Sequence, residues 1–164
     1  MADTKRSGVN ISANSNMYYH AIDAAWDRFA SHLCGNRSGY ICVVSNTALS
    51  DTARNALDAS MERLGYGARA CTFIALYEAS ESTTAPLTAR ELLELVEGLD
   101  PAILIAADAE SARTLGEAFR VTIPLLDYSH VAGRATVAFA SFQSMLAEMQ
   151  DKQKAWALLK RLAR

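Results

Sequence analysis

The sequence predicts an α/β protein: a three-layer α/β/α sandwich around a mainly parallel sheet of roughly four strands. Three observations carry this. Two runs, Tyr40-Ile41-Cys42-Val43-Val44 and Ala102-Ile103-Leu104-Ile105-Ala106-Ala107, are apolar without polar alternation and too short for bundle helices, the signature of strands covered on both faces. Further strand-like runs at Arg69 and Ala135 are separated from these by helices or long connections, as parallel pairing requires. Finally, Leu87 to Phe119 reads as helix, strand, turn, helix, which is one turn of a doubly wound sheet.

Taken in order, Met1 to Asn16 is polar, without the apolar run of a secretory signal, and reads as a flexible segment before a single domain over 17–164. Tyr19, Ile22, Trp26, Phe29 and Leu33 recur in steps of three and four, predicting one helical stripe stopped by Gly35 and Asn36. His20, Asp23 and Asp27 lie off that stripe without a second ligand cluster, so they read as solvated residues and no metal site is predicted. The Tyr40–Val44 strand leads into a polar turn, Ser45-Asn46-Thr47. Ser50 or Asp51 then opens a helix with Leu57, Met61 and Leu64 inward, closed by Gly65 and Gly67. A second strand follows at Cys71 to Leu76, and Tyr77 to Pro86 is a Ser/Thr-rich loop, the best candidate for a mobile segment.

Thr88-Ala89-Arg90-Glu91 is a capping box flanked by a Leu87/Leu92 staple. Leu92, Leu95, Val96 and Leu99 share one face of the helix it starts, and Pro101 ends it. After the Ala102–Ala107 strand, Asp108 is placed to cap a helix whose inward stripe is Ala112, Leu115 and Phe119. Val121 to Leu126, interrupted by Pro124, predicts a short extended piece at a sheet edge. Asp127-Tyr128-Ser129-His130 reads as a loop ending at Gly133; neighbours in one loop seldom converge into a catalytic triad. Ala135 to Phe139 is the last strand. Phe142 to Ala163 is helical with a break near Asp151, packing Ala155, Trp156, Leu159 and Leu162 inward, and its basic residues from Lys152 to Arg164 complement the helix dipole.

The 164 residues are 51% hydrophobic and 21% charged, with a net charge of −2. That balance gives no global field to draw in nucleic acid or anionic lipid. With no segment long enough to cross a bilayer, the cytoplasm is the default location. Cys34, Cys42 and Cys71 are odd in number, have no C-x-x-C spacing, and read as buried reduced thiols.

The segment from Leu92 to Phe119 resembles the helix, L-x-P-x-x-I-x-A-L-G strand and small-residue helix of the uracil-DNA glycosylase superfamily. Lys152-Gln153-Lys154-Ala155-Trp156-Ala157-Leu158-Leu159-Lys160 resembles its closing K-R-x-A-W-x-D-L-K helix, and the helix from Asp51 to Gly65 resembles the segment after its first strand. The resemblance runs from Tyr40 to the C-terminus and implies that superfamily's fold. Its working positions depart from the pattern. Ser45-Asn46-Thr47-Ala48 replaces a Gly-Glu-x-Pro-Gly turn, Ala75 or Leu76 stands where an Asn reads the base, and Ser141-Phe142-Gln143 replaces a His-Pro-Ser loop. The four cluster-ligating cysteines of the thermophilic branches are absent. Glycosidic cleavage needs a group to activate water and a donor for the departing base, so the resemblance implies a fold retained without glycosylase activity.

Ligands of open α/β sheets bind outside the carboxyl ends of the strands, which makes Ser45, Asn46, Tyr77, Asp108, Ser141 and Gln143 the candidate ligand contacts, with turn and capping chemistry the competing reading of each. The expected role is a binding module for a nucleotide, nucleic acid or protein. The alternative is an enzyme with a rewired site using Glu78, Asp127 or His130. No cofactor and no membrane partner are expected, and the aromatic-bearing amphipathic helices at both ends are compatible with a homo-oligomer.

Overall fold

The computed structural model describes residues 17, 19–78 and 84–163. The N-terminal segment 1–16 and half of the loop expected to be mobile, residues 79–83, lie outside the described residues. Among these residues the chain forms six strands and six α-helices. Helix α1 (residues 19–28) tightens into a 3₁₀ turn, Ala30–His32, and is followed by β1 (Leu33–Gly35), β2 (Ile41–Ser45), α2 (Asp51–Arg63), β3 (Cys71–Ala75), α3 (Ala89–Leu99) and β4 (Ile103–Ala106). Then come α4 (Ala109–Phe119), β5 (Asp127–Val131), β6 (Arg134–Ala138), α5 (Phe142–Met145), α6 (Met149–Leu159) and a last 3₁₀ turn, Lys160–Leu162.

The helix starts follow the sequence signals. Thr88 Oγ1 accepts the Glu91 N–H at 3.1 Å while Glu91 accepts the Thr88 N–H at 3.2 Å, and Leu87 and Leu92 are both buried beneath this box. Ser50, rather than Asp51, caps α2 by accepting the Ala53 N–H. Helix α3 ends with Asp100 in the left-handed region (φ 49°), immediately before Pro101.

The sheet order is β1-β3-β2-β4-β6-β5. The four interior strands are mutually parallel, with Ile41 opposite Ile103 and Ile103 opposite Ala135. The two edge strands are antiparallel to their neighbours. The sheet is therefore six-stranded and mixed, not the mainly parallel sheet of roughly four strands that the sequence predicts. Both added strands are edges, where the pattern of a doubly covered strand is missing. β1 has three residues, and Gly35, expected to stop a helix, sits in it at φ 92°; a Cβ there would lie 2.5 Å from the Cys71 carbonyl oxygen. β5 is Asp127-Tyr128-Ser129-His130-Val131, expected as a loop. It pairs with β6 over its full length through a two-residue turn, Ala132-Gly133, in which both residues have positive φ. The expected extended piece at 121–126 forms no strand: Val121, Leu125 and Leu126 are exposed there and Ile123 alone is buried.

Alternation along the strands divides the core in two. Cys42, Val44, Leu104 and Ala106 belong to a cluster with Phe29, Leu92, Leu95, Leu99 and Leu115, under α1, α3 and α4. Ile41, Val43, Ile103 and Ile105 belong to another with Leu57, Met61, Phe142, Ala155 and Leu159, under α2, α5 and α6. Ile22 in α1 and Phe29 just after it are buried as the stripe requires, but Tyr19 is exposed and Leu33 has passed into β1. The break in the last helical region falls between Met145 and Met149, ahead of Asp151.

Candidate functional site at the carboxyl ends of the strands

β2 is flanked by β3 on one side and β4 on the other, so the order reverses between β2 and β4, the usual place for a ligand in an open α/β sheet. Here that crevice is closed by the chain's own bonds. Asp108 caps α4: one carboxylate oxygen accepts the Ser111 N–H and the other accepts the Asn46 N–H, each at 2.8 Å. A carboxylate thus already sits at the positive end of the helix, where an anionic ligand would bind. Asp108 also bridges antiparallel to Ser141. Ser141 caps α5, accepting the Ser144 N–H at 3.2 Å and donating to the Ser144 hydroxyl at 2.9 Å, and Gln143 Oε1 accepts the Ser50 N–H at 3.0 Å. Asn46 O accepts the Tyr77 N–H at 3.0 Å. Of the six predicted contacts, Asp108, Ser141 and Gln143 have their side chains engaged in capping or tying loops, and Asn46 and Tyr77 join the turns through their backbone.

Ser45 is different. Its residue is 3% exposed, and by alternation its side chain shares the α2 face of the sheet with Ile41 and Val43. There it lines a cavity of about 130 Å³ at the carboxyl ends of β2 and β3, together with His32, Cys34, Arg54, Phe73 and Ala75. Among the described residues nothing hydrogen-bonds the Ser45 hydroxyl.

Three elements converge on this cavity. The 3₁₀ turn delivers Ser31 and His32 to the end of β3. The His32 Nδ1 donates to the Ala75 carbonyl at 2.8 Å, which fixes the proton on Nδ1 because a carbonyl only accepts. The Nε2 then faces the Glu78 carboxylate at 3.6 Å, and Glu78 also accepts the Ser31 hydroxyl at 3.0 Å. β1 places Cys34 opposite Phe73 and, being a sheet edge, leaves it exposed rather than buried as the sequence suggests. From the first turn of α2, Arg54 donates through Nη1 to Cys34 Sγ at 3.4 Å and through Nη2 to Asp51. The bond to Asp51, and after it the bond to Cys34, raise the Arg54 guanidinium above its ordinary range, so it stays cationic. The other two thiols are different: burial pushes Cys42 up to about 12, despite the opposing field of Arg134, and burial followed by the charge of Asp58 raises Cys71 further.

Of the alternative residues, Glu78 alone reaches this site. Asp127 and His130 lie on β5, four strand positions from β3, or roughly 19 Å at the usual strand spacing. Asp127 accepts from Arg161 at 3.1 Å, and His130 Nε2 lies 3.2 Å from the Tyr128 hydroxyl, so each is engaged locally at the far edge. His32, Cys34 and Arg54 escape sequence reasoning because a single helical stripe through Leu33 leaves no reason to bring them together. The Gly35-Asn36 pair, read as a strand turn rather than a helix stop, is the signal that could have found them.

A second hollow, about 510 Å³, is a groove along α4 lined by Ala112, Gly116, Val121 and Ile123 and by the polar Arg113, Glu117, Arg120 and Thr122; Arg113 is paired with Glu110 and Glu117. Among the described residues no group of three or more His, Cys, Asp or Glu side chains is placed to hold a metal ion, and no helix is long and apolar enough to cross a membrane. No protein-family model matches the chain, and no curated protein is significantly similar to it.

Proposed function

We propose that this chain is a binding module on a three-layer, glycosylase-like α/β/α scaffold, without glycosylase chemistry, and that its ligand is a small oxyanion held in the cavity beside Ser45. The observation that carries this is the convergence of donors with no acceptor to serve: the Ser45 hydroxyl is unpartnered, and the Arg54 guanidinium has donors beyond those bonded to Asp51 and Cys34. The architecture is supported by the four parallel strands and the separate apolar clusters on the two faces of the sheet. The lack of glycosylase chemistry is supported by Ser141, which stands where the resemblance puts an electrophilic His and is committed to capping α5. Closure of the β2/β4 crevice by Asp108 argues against a nucleotide lying across it.

The test is titration of the protein with inorganic phosphate, sulfate and acetate, followed by amide and guanidinium NMR. Saturable shifts at Cys34, Ser45 and Arg54 that vanish in Arg54→Gln are expected; shifts equal in the two proteins would overturn the reading. In parallel, wild type and Ser141→His are assayed on a uracil-containing oligonucleotide, where no excision by the wild type is expected. Robust excision would restore glycosylase activity to the account.

One observation favours the enzyme reading: the half-buried His32 lines the cavity and faces Glu78 at 3.6 Å, which makes an acid–base pair beside it. Hydrolysis of a small activated ester that is lost in His32→Gln and Glu78→Gln but kept in His130→Gln would establish it.

A further inference from the structure

From the same cavity we infer that Cys34 is a nucleophilic thiol for hydroperoxides, with the Arg54 guanidinium and the Ser45 hydroxyl holding the peroxide against it. This rests on the reading of the cavity as a binding site, and it adds a reaction. Thiolates, not thiols, are nucleophilic, and reactive ones occupy electropositive, partly exposed surroundings. Cys34 is exposed, and the Arg54 cation, held on its other nitrogen by Asp51, donates to its sulfur at 3.4 Å. Cys42 and Cys71 are both buried and fail the condition of exposure. They serve as controls within the same molecule.

The size of the cavity selects the electrophile. A volume of about 130 Å³ holds about four water-sized groups at ~30 Å³ each. Hydrogen peroxide or a short alkyl hydroperoxide fits; a disulfide-bonded peptide does not. An acyl group would also need a proton donor for its leaving atom. Peroxide makes a lighter demand. The Cys34 thiolate attacks one peroxide oxygen, the S–O bond forms as the O–O bond breaks, and the sulfur is oxidised by two electrons to the sulfenic acid. The departing hydroxide, or alkoxide, takes from solvent the proton that the thiol gave up, leaving as water or an alcohol. Negative charge developing on that oxygen is met by the Arg54 and Ser45 donors. With Cys42 and Cys71 both buried, a small thiol from solution condenses with the sulfenic acid to a mixed disulfide and water, and a second such thiol exchanges with it to release the Cys34 thiol and a small disulfide.

The experiment treats the full, reduced chain with stoichiometric hydrogen peroxide in the presence of dimedone and quantifies adducts on the three cysteine peptides by mass spectrometry. The expected result is an adduct on Cys34 alone, forming at least about tenfold faster than on free cysteine. The rate should fall about tenfold in Arg54→Gln and recover in part in Arg54→Lys. In Ser45→Ala it should fall while alkylation of Cys34 by iodoacetamide stays unchanged, which separates peroxide positioning from simple accessibility. Oxidation of Cys34 no faster than free cysteine, or equal loss of peroxide and iodoacetamide reactivity in Ser45→Ala, overturns the proposal. The wild-type rate decides even if a variant fails to fold. Oxyanion-induced shifts without fast oxidation would refute this reaction alone, and fast oxidation without those shifts would refute the oxyanion reading alone.

Discussion

Replacing Asp108 by alanine tests whether the closed crevice is a structural joint. The carboxylate accepts two backbone N–H groups at 2.8 Å, one within α4 and one from the turn after β2, so it joins the ends of two adjacent parallel strands. Loss of an N-cap side chain costs about 0.5–2 kcal/mol. Leaving the half-buried Asn46 N–H without its acceptor adds about 1–3 kcal/mol. Because the two terms share one side chain and part of the second is recovered by water, we expect about 2–4 kcal/mol in total for Asp108→Ala. Asp108→Asn keeps one carbonyl oxygen, sufficient for the cap, and turns an amide N–H₂ toward Asn46, so it should cost about 1–2 kcal/mol. Urea melts would read these as shifts in midpoint at constant slope. For a chain of this size the alanine variant should melt roughly 5–15 °C lower. Hydrogen exchange should accelerate at the Asn46 and Ser111 amides before the centre of β2. A loss below about half a kilocalorie for Asp108→Ala, or equal losses for Ala and Asn, would show that the carboxylate is not the joint.

Leu104→Ala, at a fully buried site on a central strand, should destabilise by about 2–5 kcal/mol in a denaturant melt; less than half a kilocalorie would contradict the central placement of β4. Gly116→Ala should destabilise although Ala is the better helix former by about 1 kcal/mol, because its Cβ would meet the Val121 carbonyl oxygen at 2.6 Å; a gain in thermal midpoint would refute that clash. The pH dependence of stability should carry the signature of the buried thiols. Burial raises Cys42 from 9.0 to about 12, so the folded state holds a proton that the unfolded chain releases. The associated stability is complete below about pH 9 and is lost as pH rises towards 12, at up to about 1.4 kcal/mol per pH unit. Urea midpoints of wild type and Cys42→Ala between pH 8 and 11 should converge with rising pH; parallel curves would remove Cys42 as the cause.

Most of the interior was legible in the sequence because burial leaves a pattern. Residues 41–44 and 103–106 are apolar on both faces, and the alternation of Ile103, Leu104 and Ile105 between faces follows from strand geometry alone. The caps at Thr88 and Asp108 were legible for a similar reason, since the side chain and the amide it serves are three residues apart. The edges were not. β5 is polar because one flank is exposed, and its turn is Ala132-Gly133 rather than the Asn-Gly that announces a hairpin. β1 is too short to show any period. The candidate site failed for a third reason. Residues 32 and 34, 45, 54 and 78 come from four separate segments and meet only once β1 turns back along β3, a pairing that leaves no local mark. Ser45 is expected at a strand end and Glu78 in a long loop, with nothing in the sequence to join them.

The division of the core by the sheet has an evolutionary consequence. Leu104 and Ile105 are adjacent in the chain yet touch different sets of neighbours, while Leu104 shares a cluster with Leu92 and Ile105 with Leu57, residues many positions away. Substitutions that alter volume on one side can be compensated only on that side, since coupling energy falls away between residues without shared partners. The chain therefore carries two interleaved sequences, each free to drift under its own packing constraint, held in step by the backbone hydrogen bonds of six strands. Divergence can proceed on the α3/α4 side without disturbing the wall on which Ser45, Phe73 and Cys34 stand.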